Sequence, residues 1–249
     1  MRDSVVEAFP TFTAPLEGCV LWPYQDILGL VTIGYGCLID PEALAAGVAG
    51  WEGDPSVSVI AAEWNKCKAM PKALHFNRYR EACSLRLTQD GVNALLRTRM
   101  QLFEGTLRHY FPAWDSFPAD AQLAIMAMAW ACGPGFPRTF TNFSAFVLKR
   151  DWANAAKCAK IREEGNPGVH PRNVQVQLCL ANAAAIDDGD QGTPALYWPS
   201  SVQDALAPSS DPANIPLQVL AREALAAFDI NEQGLTGHSG RAALGYAEA

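Results

Sequence analysis

Apolar residues at the start of the chain recur at helical spacing, with Val5, Val6, Phe9, Phe12 and Leu16 falling on one stripe. Pro10 and Pro15 break into that stripe, so the pattern predicts an interrupted helix from residue 4 to about 17. Gly18 is a natural stop, which leaves Glu17 at the helix end. From Leu21 to Asp40 the pattern changes to short β-branched and aromatic runs punctuated by Pro23, Gly29, Gly34 and Gly36, which predicts a β-hairpin or small sheet. In such a strand Thr32, Gly34 and Gly36 share a face without bulky side chains. That face fits close approach of a ligand, or glycines that simply mark bulges and bends.

Helical patterning dominates the rest. Residues 41 to 87 read as helical pieces and loops, with a helix around Ser56 to Met70 that enlarges a small lobe. Thr88 can cap a helix from about Gln89 to Tyr110, with Val92, Leu95, Leu96, Met100, Phe103 and Leu107 on one stripe. At 1.5 Å per residue this is a rod of about 33 Å, long enough to bridge two lobes. Residues 120 to 132 are apolar nearly all round, which predicts a helix buried on every side that ends at Gly133-Pro134-Gly135. Helices near 139 to 149, 151 to 161 and 172 to 186 would complete a bundle around it. From Asp187 the pattern turns loop-like, with one amphipathic helix expected between about Pro212 and Phe228. No internal repeat is present.

Composition narrows the class. The 249 residues are 49% hydrophobic and 18% charged, which describes a packed protein able to bury a full core in one large domain or two lobes. No apolar run reaches membrane-spanning length, and the first residues lack the apolar core of a signal peptide, so a protein made in the cytoplasm without membrane insertion is expected. The seven cysteines form no CxxC pair and the four histidines no HExxH, which argues against a zinc site; free, mostly buried thiols are the expectation, with no metal and no cofactor.

The net charge of −7 is unevenly spread. Residues 1 to 65 carry net −8, residues 66 to 108 net +6 and residues 109 to 180 net +2, so the first 180 residues are neutral and the acidic excess lies in the last 69. The basic stretch fits attraction to an anionic polymer, a cell-wall glycan or a nucleic acid, or an ordinary solvated helix face. No nucleic-acid-binding motif accompanies it, so no nucleic-acid partner is expected.

Glu17, Asp26 and Thr32 stand out as chemistry. Two carboxylates and a hydroxyl are what glycoside hydrolysis requires: an acid that stays protonated, a carboxylate that activates water, and a group that positions the water. The negative end of a helix and partial burial favour a protonated Glu17, whereas a solvated turn with backbone donors around Gly29 favours an ionised Asp26. Spacing alone does not single out these residues in an acidic chain.

The run Glu17-Gly18, then Tyr24-Gln25-Asp26-Ile27-Leu28-Gly29, then Thr32-Ile33-Gly34-Tyr35-Gly36 resembles the active-site signature of phage-type lysozymes in all three elements and their spacing. The resemblance extends more weakly over residues 4 to 186. It implies an α+β, mostly α fold with two lobes: a small β-hairpin lobe, a long interlobe helix and a helical C-terminal lobe. It also implies a catalytic domain at 1–186, enlarged at 41–87, and an acidic extension at 187–249. By resemblance Glu17 is the general acid, Asp26 supports the water or the developing positive charge, and Thr32 holds the nucleophilic water. Tyr24, Gly34, Gly36 and Arg172 would contact substrate. The implied activity is that of a muramidase cleaving the β-1,4 bond between N-acetylmuramic acid and N-acetylglucosamine in peptidoglycan.

Some habitual residues differ. Cys37 stands where the family has His after its TIG-x-G run, Trp130-Ala131-Cys132-Gly133 replaces Phe-Asn-x-Gly, and Arg172-Asn173 followed by Val176 replaces a double arginine followed by Glu. These changes motivate two alternatives: a non-hydrolytic wall-binding or interaction module on the same fold, and a lytic transglycosylase. For the hydrolase, bacterial glycan strands are the expected partner, reached at the periplasm or cell wall of a target bacterium. A holin would deliver a phage endolysin; a secretion system would deliver an antibacterial effector, with a cognate immunity protein.

Overall fold

The computed structural model describes residues 1–165, 168–187 and 195–206. The described chain is mostly helical with one small antiparallel sheet, an α+β architecture weighted to α. Its described residues divide into two compact units, one formed by residues 10–102 and the other by residues 1–9 with those from 103 to 206. Helices α1 (Asp3–Glu17) and α5 (Gln89–Tyr110) each contribute residues to both.

The first difference from the sequence reading is α1, which is continuous from Asp3 to Glu17 although it contains Pro10 and Pro15. Each proline removes one backbone hydrogen bond to the residue four earlier. Val5, Phe9 and Phe12 are fully or almost fully buried, so tertiary packing holds the helix where propensity alone would break it.

In the unit of residues 10–102, the chain forms β1 (Val20–Gln25), β2 (Val31–Gly34) and β3 (Cys37–Leu38), paired in sequence order and antiparallel. The β1–β2 register shifts between Val20 and Tyr24, an irregularity that contains Pro23, which has no N–H to give to a ladder. Three helices follow: α2 (Glu42–Ala46), α3 (Val57–Ala69) and α4 (Phe76–Ala82). Helix α3 is tied to the sheet and the chain leaving it by side chains. Gln25 Nε2 donates to the carbonyls of Cys67 and Met70, both at 2.7 Å, and Trp64 Nε1 donates to the Ile39 carbonyl at 3.0 Å. Glu63, one turn before Cys67, accepts from Ser84 N at 2.6 Å, Ser84 Oγ at 2.9 Å and Leu85 N at 3.2 Å, joining α3 to the chain that leaves α4. Thr88 caps α5 as its sequence predicts, its Oγ1 accepting from Gly91 N at 3.0 Å and donating to the Gly50 carbonyl at 2.9 Å.

The other unit is built around α6 (Ala119–Cys132), whose residues from Ala119 to Ala131 are all buried, in accord with its all-round apolar pattern. Gly133, at φ +79, follows the helix. Helices α7 (Thr141–Leu148), α8 (Trp152–Cys158) and α9 (Val169–Ile186) complete the bundle, with α9 beginning three residues before Arg172. Phe117, Trp114 and Trp152 pack ring against ring, with Phe117 and Trp152 edge to face at 5.0 Å. Asn173 closes a buried clamp, accepting from Ile161 N at 2.9 Å and donating to Ile161 O at 2.8 Å.

Packing continues beyond residue 186, the boundary expected from resemblance. Asp187 pairs with Arg150 and accepts from Trp152 Nε1. Asp120 on α6 accepts from Tyr197 N at 2.9 Å, Trp198 N at 3.0 Å and Asn182 Nδ2 at 2.9 Å. The short helix α10 (Val202–Leu206) follows, with Val202 N donating to Asn182 Oδ1 at 3.0 Å. The helix expected at 212–228 lies outside the described residues.

No disulfide joins the seven cysteines, of which Cys37, Cys67, Cys83 and Cys179 are buried and Cys19 is exposed. Among the described residues no helix is long and apolar enough to cross a membrane.

Candidate functional site

Glu17 is the last residue of α1, and Gly18, at φ +68, donates its N–H to Ala14 O at 2.9 Å. This left-handed cap turns the chain sharply out of the helix and leaves Glu17 partly buried at the negative end of the helix dipole.

Asp26 begins the turn between β1 and β2. Its Oδ1 accepts from Leu28 N at 2.9 Å and Leu30 N at 2.8 Å, and its backbone N–H donates to Leu30 O at 3.0 Å. A side chain that satisfies its own turn explains why a carboxylate only 7% exposed is held here. Gly29, at φ +82, supplies the left-handed residue that the turn needs. Ile27 and Leu28 are exposed at its tip.

Thr32 lies opposite Tyr24 in the β1–β2 ladder, so their side chains project from the same face. Its Oγ1 donates to Leu30 O at 3.2 Å, and the residue is 3% exposed. Leu30 therefore serves both candidate residues through one peptide group: its carbonyl takes the Asp26 N–H and the Thr32 hydroxyl.

Tyr24 reports the electrostatics of this group. Burial pushes its phenol above the usual tyrosine range, and the negative charges of Glu17 and Asp26 push it further, with Cys37 and Cys19 adding smaller contributions. The phenol consequently stays protonated and neutral, a hydrogen-bond donor near Glu17 and Asp26. Glu17, Tyr24, Asp26 and Thr32 all belong to the unit of residues 10–102.

The glycines differ from expectation. β2 ends at Gly34, which is still paired with Val20, whereas Gly36 lies in the turn to β3 and so is not part of the strand face; both have positive φ, at +64 and +74. A Cβ on Gly34 would stand 3.2 Å from Val92 Cγ1, so the missing side chain makes room for α5. Arg172 belongs to the other unit, where it is 3% exposed and its Nη1 donates to Ala127 O at 3.2 Å.

Lys68 and Asp40 were counted in the sequence only as charges, yet both reach this turn. Lys68 Nζ donates to Gly29 O at 2.7 Å and pairs with Asp40 Oδ2 at 2.5 Å, and the same Asp40 oxygen accepts from Val31 N at 3.1 Å. The available sequence signal was weak: Trp64 and Lys68 share a helix face at i, i+4, and Lys68 Nζ lies 5.5 Å from the Trp64 ring centre. No protein-family model and no curated protein matches the chain.

Proposed function

We propose that this protein is a peptidoglycan hydrolase, a muramidase that cleaves the β-1,4 bond between N-acetylmuramic acid and N-acetylglucosamine with inversion at the anomeric carbon. The observation that carries this reading is that Thr32 lies directly across the ladder from Tyr24, a buried phenol within reach of the charges of both Glu17 and Asp26, all within a signature that resembles phage-type lysozymes. The finer architecture proposed with it is a lysozyme-like fold with a small β lobe, a long interlobe helix and a helical lobe.

In this mechanism Glu17, at the carbonyl end of α1, donates a proton to the leaving glycosidic oxygen. Asp26, held in its turn by two backbone amides, accepts the proton of the attacking water as that water bonds to the anomeric carbon opposite the departing sugar, and stabilises the positive charge developing there. The Thr32 hydroxyl gives its proton to Leu30 O, which leaves its oxygen lone pairs to accept a hydrogen bond from that water. Tyr24, kept neutral, can donate to substrate.

The test is clearing of purified peptidoglycan by wild type and by Glu17→Gln, with mass spectrometry of the released muropeptides. Clearing by wild type with new reducing ends, and none by the variant, supports the proposal. Equal clearing by both removes Glu17 from the chemistry; anhydro-ended products identify a lytic transglycosylase; binding to sacculi without product release identifies a wall-binding module. Toxicity confined to a periplasm-directed form in a bacterial host would agree with a wall substrate. A neighbouring holin gene would place the protein as an endolysin, and a neighbouring small periplasmic protein as an effector with its immunity partner.

A further inference from the structure

We infer that Lys68, acting through Asp40, is a positioning residue for Asp26 and Thr32; this rests on the hydrolase reading above. Two consecutive peptide planes flank Leu30, and each is held at both ends. In the Gly29–Leu30 plane, the carbonyl accepts from Lys68 Nζ at 2.7 Å while the N–H donates to Asp26 Oδ1 at 2.8 Å. In the Leu30–Val31 plane, the carbonyl accepts from Asp26 N at 3.0 Å and from Thr32 Oγ1 at 3.2 Å, while the N–H donates to Asp40 Oδ2 at 3.1 Å. The Lys68–Asp40 pair, at 2.5 Å, closes the circuit.

A peptide plane is rigid, so fixing its carbonyl fixes the direction of its N–H. Lys68 thereby aims the Leu30 amide at the Asp26 carboxylate, and Asp40 aims the Leu30 carbonyl at the Thr32 hydroxyl. The lysine charge also polarises the Gly29–Leu30 peptide, which strengthens the bond its amide makes to Asp26. Gln25 fastens the other side of the turn to the carbonyls that end α3. The long segment 41–87 thus gains a role: its helix α3 braces the catalytic turn from outside.

Lys68 has a side chain 37% exposed and its partner Asp40 one 14% exposed, so the pair is in part open to water and adds only modestly to global stability. Its removal is therefore a clean probe. Lys68→Met keeps the aliphatic stem and deletes the donor. The expected result is a fall in kcat of roughly ten- to hundredfold with KM within about twofold, because misplaced catalytic groups cost rate more than binding. Lys68→Arg, which retains a cationic donor, should recover most of the loss. Amide hydrogen exchange gives a second readout: the Leu28 and Leu30 amides should exchange faster in Lys68→Met, while those of the buried helix α6 stay as in wild type.

Unchanged kcat, or unchanged exchange at Leu28 and Leu30, in a folded Lys68→Met protein would overturn the proposal. A proportional loss of protection across both units would also overturn it, by showing a structural role alone. If wild type fails to cleave peptidoglycan, the hydrolase reading falls by itself, and the exchange comparison still decides whether Lys68 orders the turn.

Discussion

Gly50 and Gly91 meet backbone to backbone: a Cβ placed on Gly50 would lie 2.5 Å from the Gly91 Cα, and one on Gly91 would lie 2.7 Å from the Gly50 carbonyl oxygen. The contact seats the first turn of α5 on the loop that also bonds Thr88. Gly50 is further restricted by φ +85. Gly50→Ala and Gly91→Ala should each destabilise the protein by about 1–3 kcal/mol, because neither backbone can retreat without breaking the cap. Urea unfolding checks this, and Gly53→Ala is a control for positive φ alone, since no atom lies within 4 Å of a Cβ there.

Asp26 has two separable jobs, turn formation and charge. Asp26→Asn keeps an oxygen that can accept from Leu28 N and Leu30 N, whereas Asp26→Ala loses both bonds. The Asn variant should melt close to wild type yet lose about a hundredfold or more in wall hydrolysis. The Ala variant should lose stability as well, by about 1–2 kcal/mol. Parallel melting curves and turbidity rates separate the two, and full activity in the Asn variant would remove the charge from the mechanism.

Asp120 is fully buried and satisfies two backbone amides of residues 197 and 198 together with Asn182. Asp120→Ala should cost about 2–3 kcal/mol, since one buried donor and two partly buried ones lose an acceptor. Truncation after Ile186 deletes Asp187 and the 197–198 clamp together, and should lower the melting temperature by roughly 5 °C or more relative to the full chain. Calorimetry on both proteins is sufficient. A truncated form as stable as the full chain would show that the segment is an appendage.

Glu63 predicts a pH dependence. Burial alone would raise its carboxyl, but its bonds to Leu85 N, Ser84 Oγ and Ser84 N, with Lys66 nearby, outweigh burial and hold it below the ordinary value of 4.5. A carboxyl depressed in the folded state stabilises the protein above its unfolded value, and that contribution is lost as pH falls through the lower folded value. Glu63→Gln should therefore be less stable than wild type at neutral pH, with the gap narrowing below about pH 4.5. Denaturant midpoints measured from pH 7 down to pH 3 give the comparison.

Much of the framework was legible from local signals. The buried helix α6 announced itself by apolar residues on every face, α5 by its stripe and its Thr88 cap, and the hairpin by β-branched runs between glycines. These features depend on contacts within one element or on the simple partition of apolar and polar residues. The continuity of α1 through Pro10 and Pro15 was not legible, because distant packing around Phe9 and Phe12 outweighs a local preference.

The sequence by itself determined the α+β class, the order of the main elements and the places of Glu17, Asp26 and Thr32 along them. The tertiary structure alone decided that Gly34 makes room for Val92, that Arg172 reaches the Ala127 carbonyl, and that Lys68 and Asp40 grip the peptides on either side of Leu30. The reason is physical: spacing along a chain governs what lies within a turn or a strand, whereas the partners of a side chain depend on which other element folds against it. Lys68 lies 39 residues from Gly29 and 28 from Asp40, separations across which no local pattern carries information.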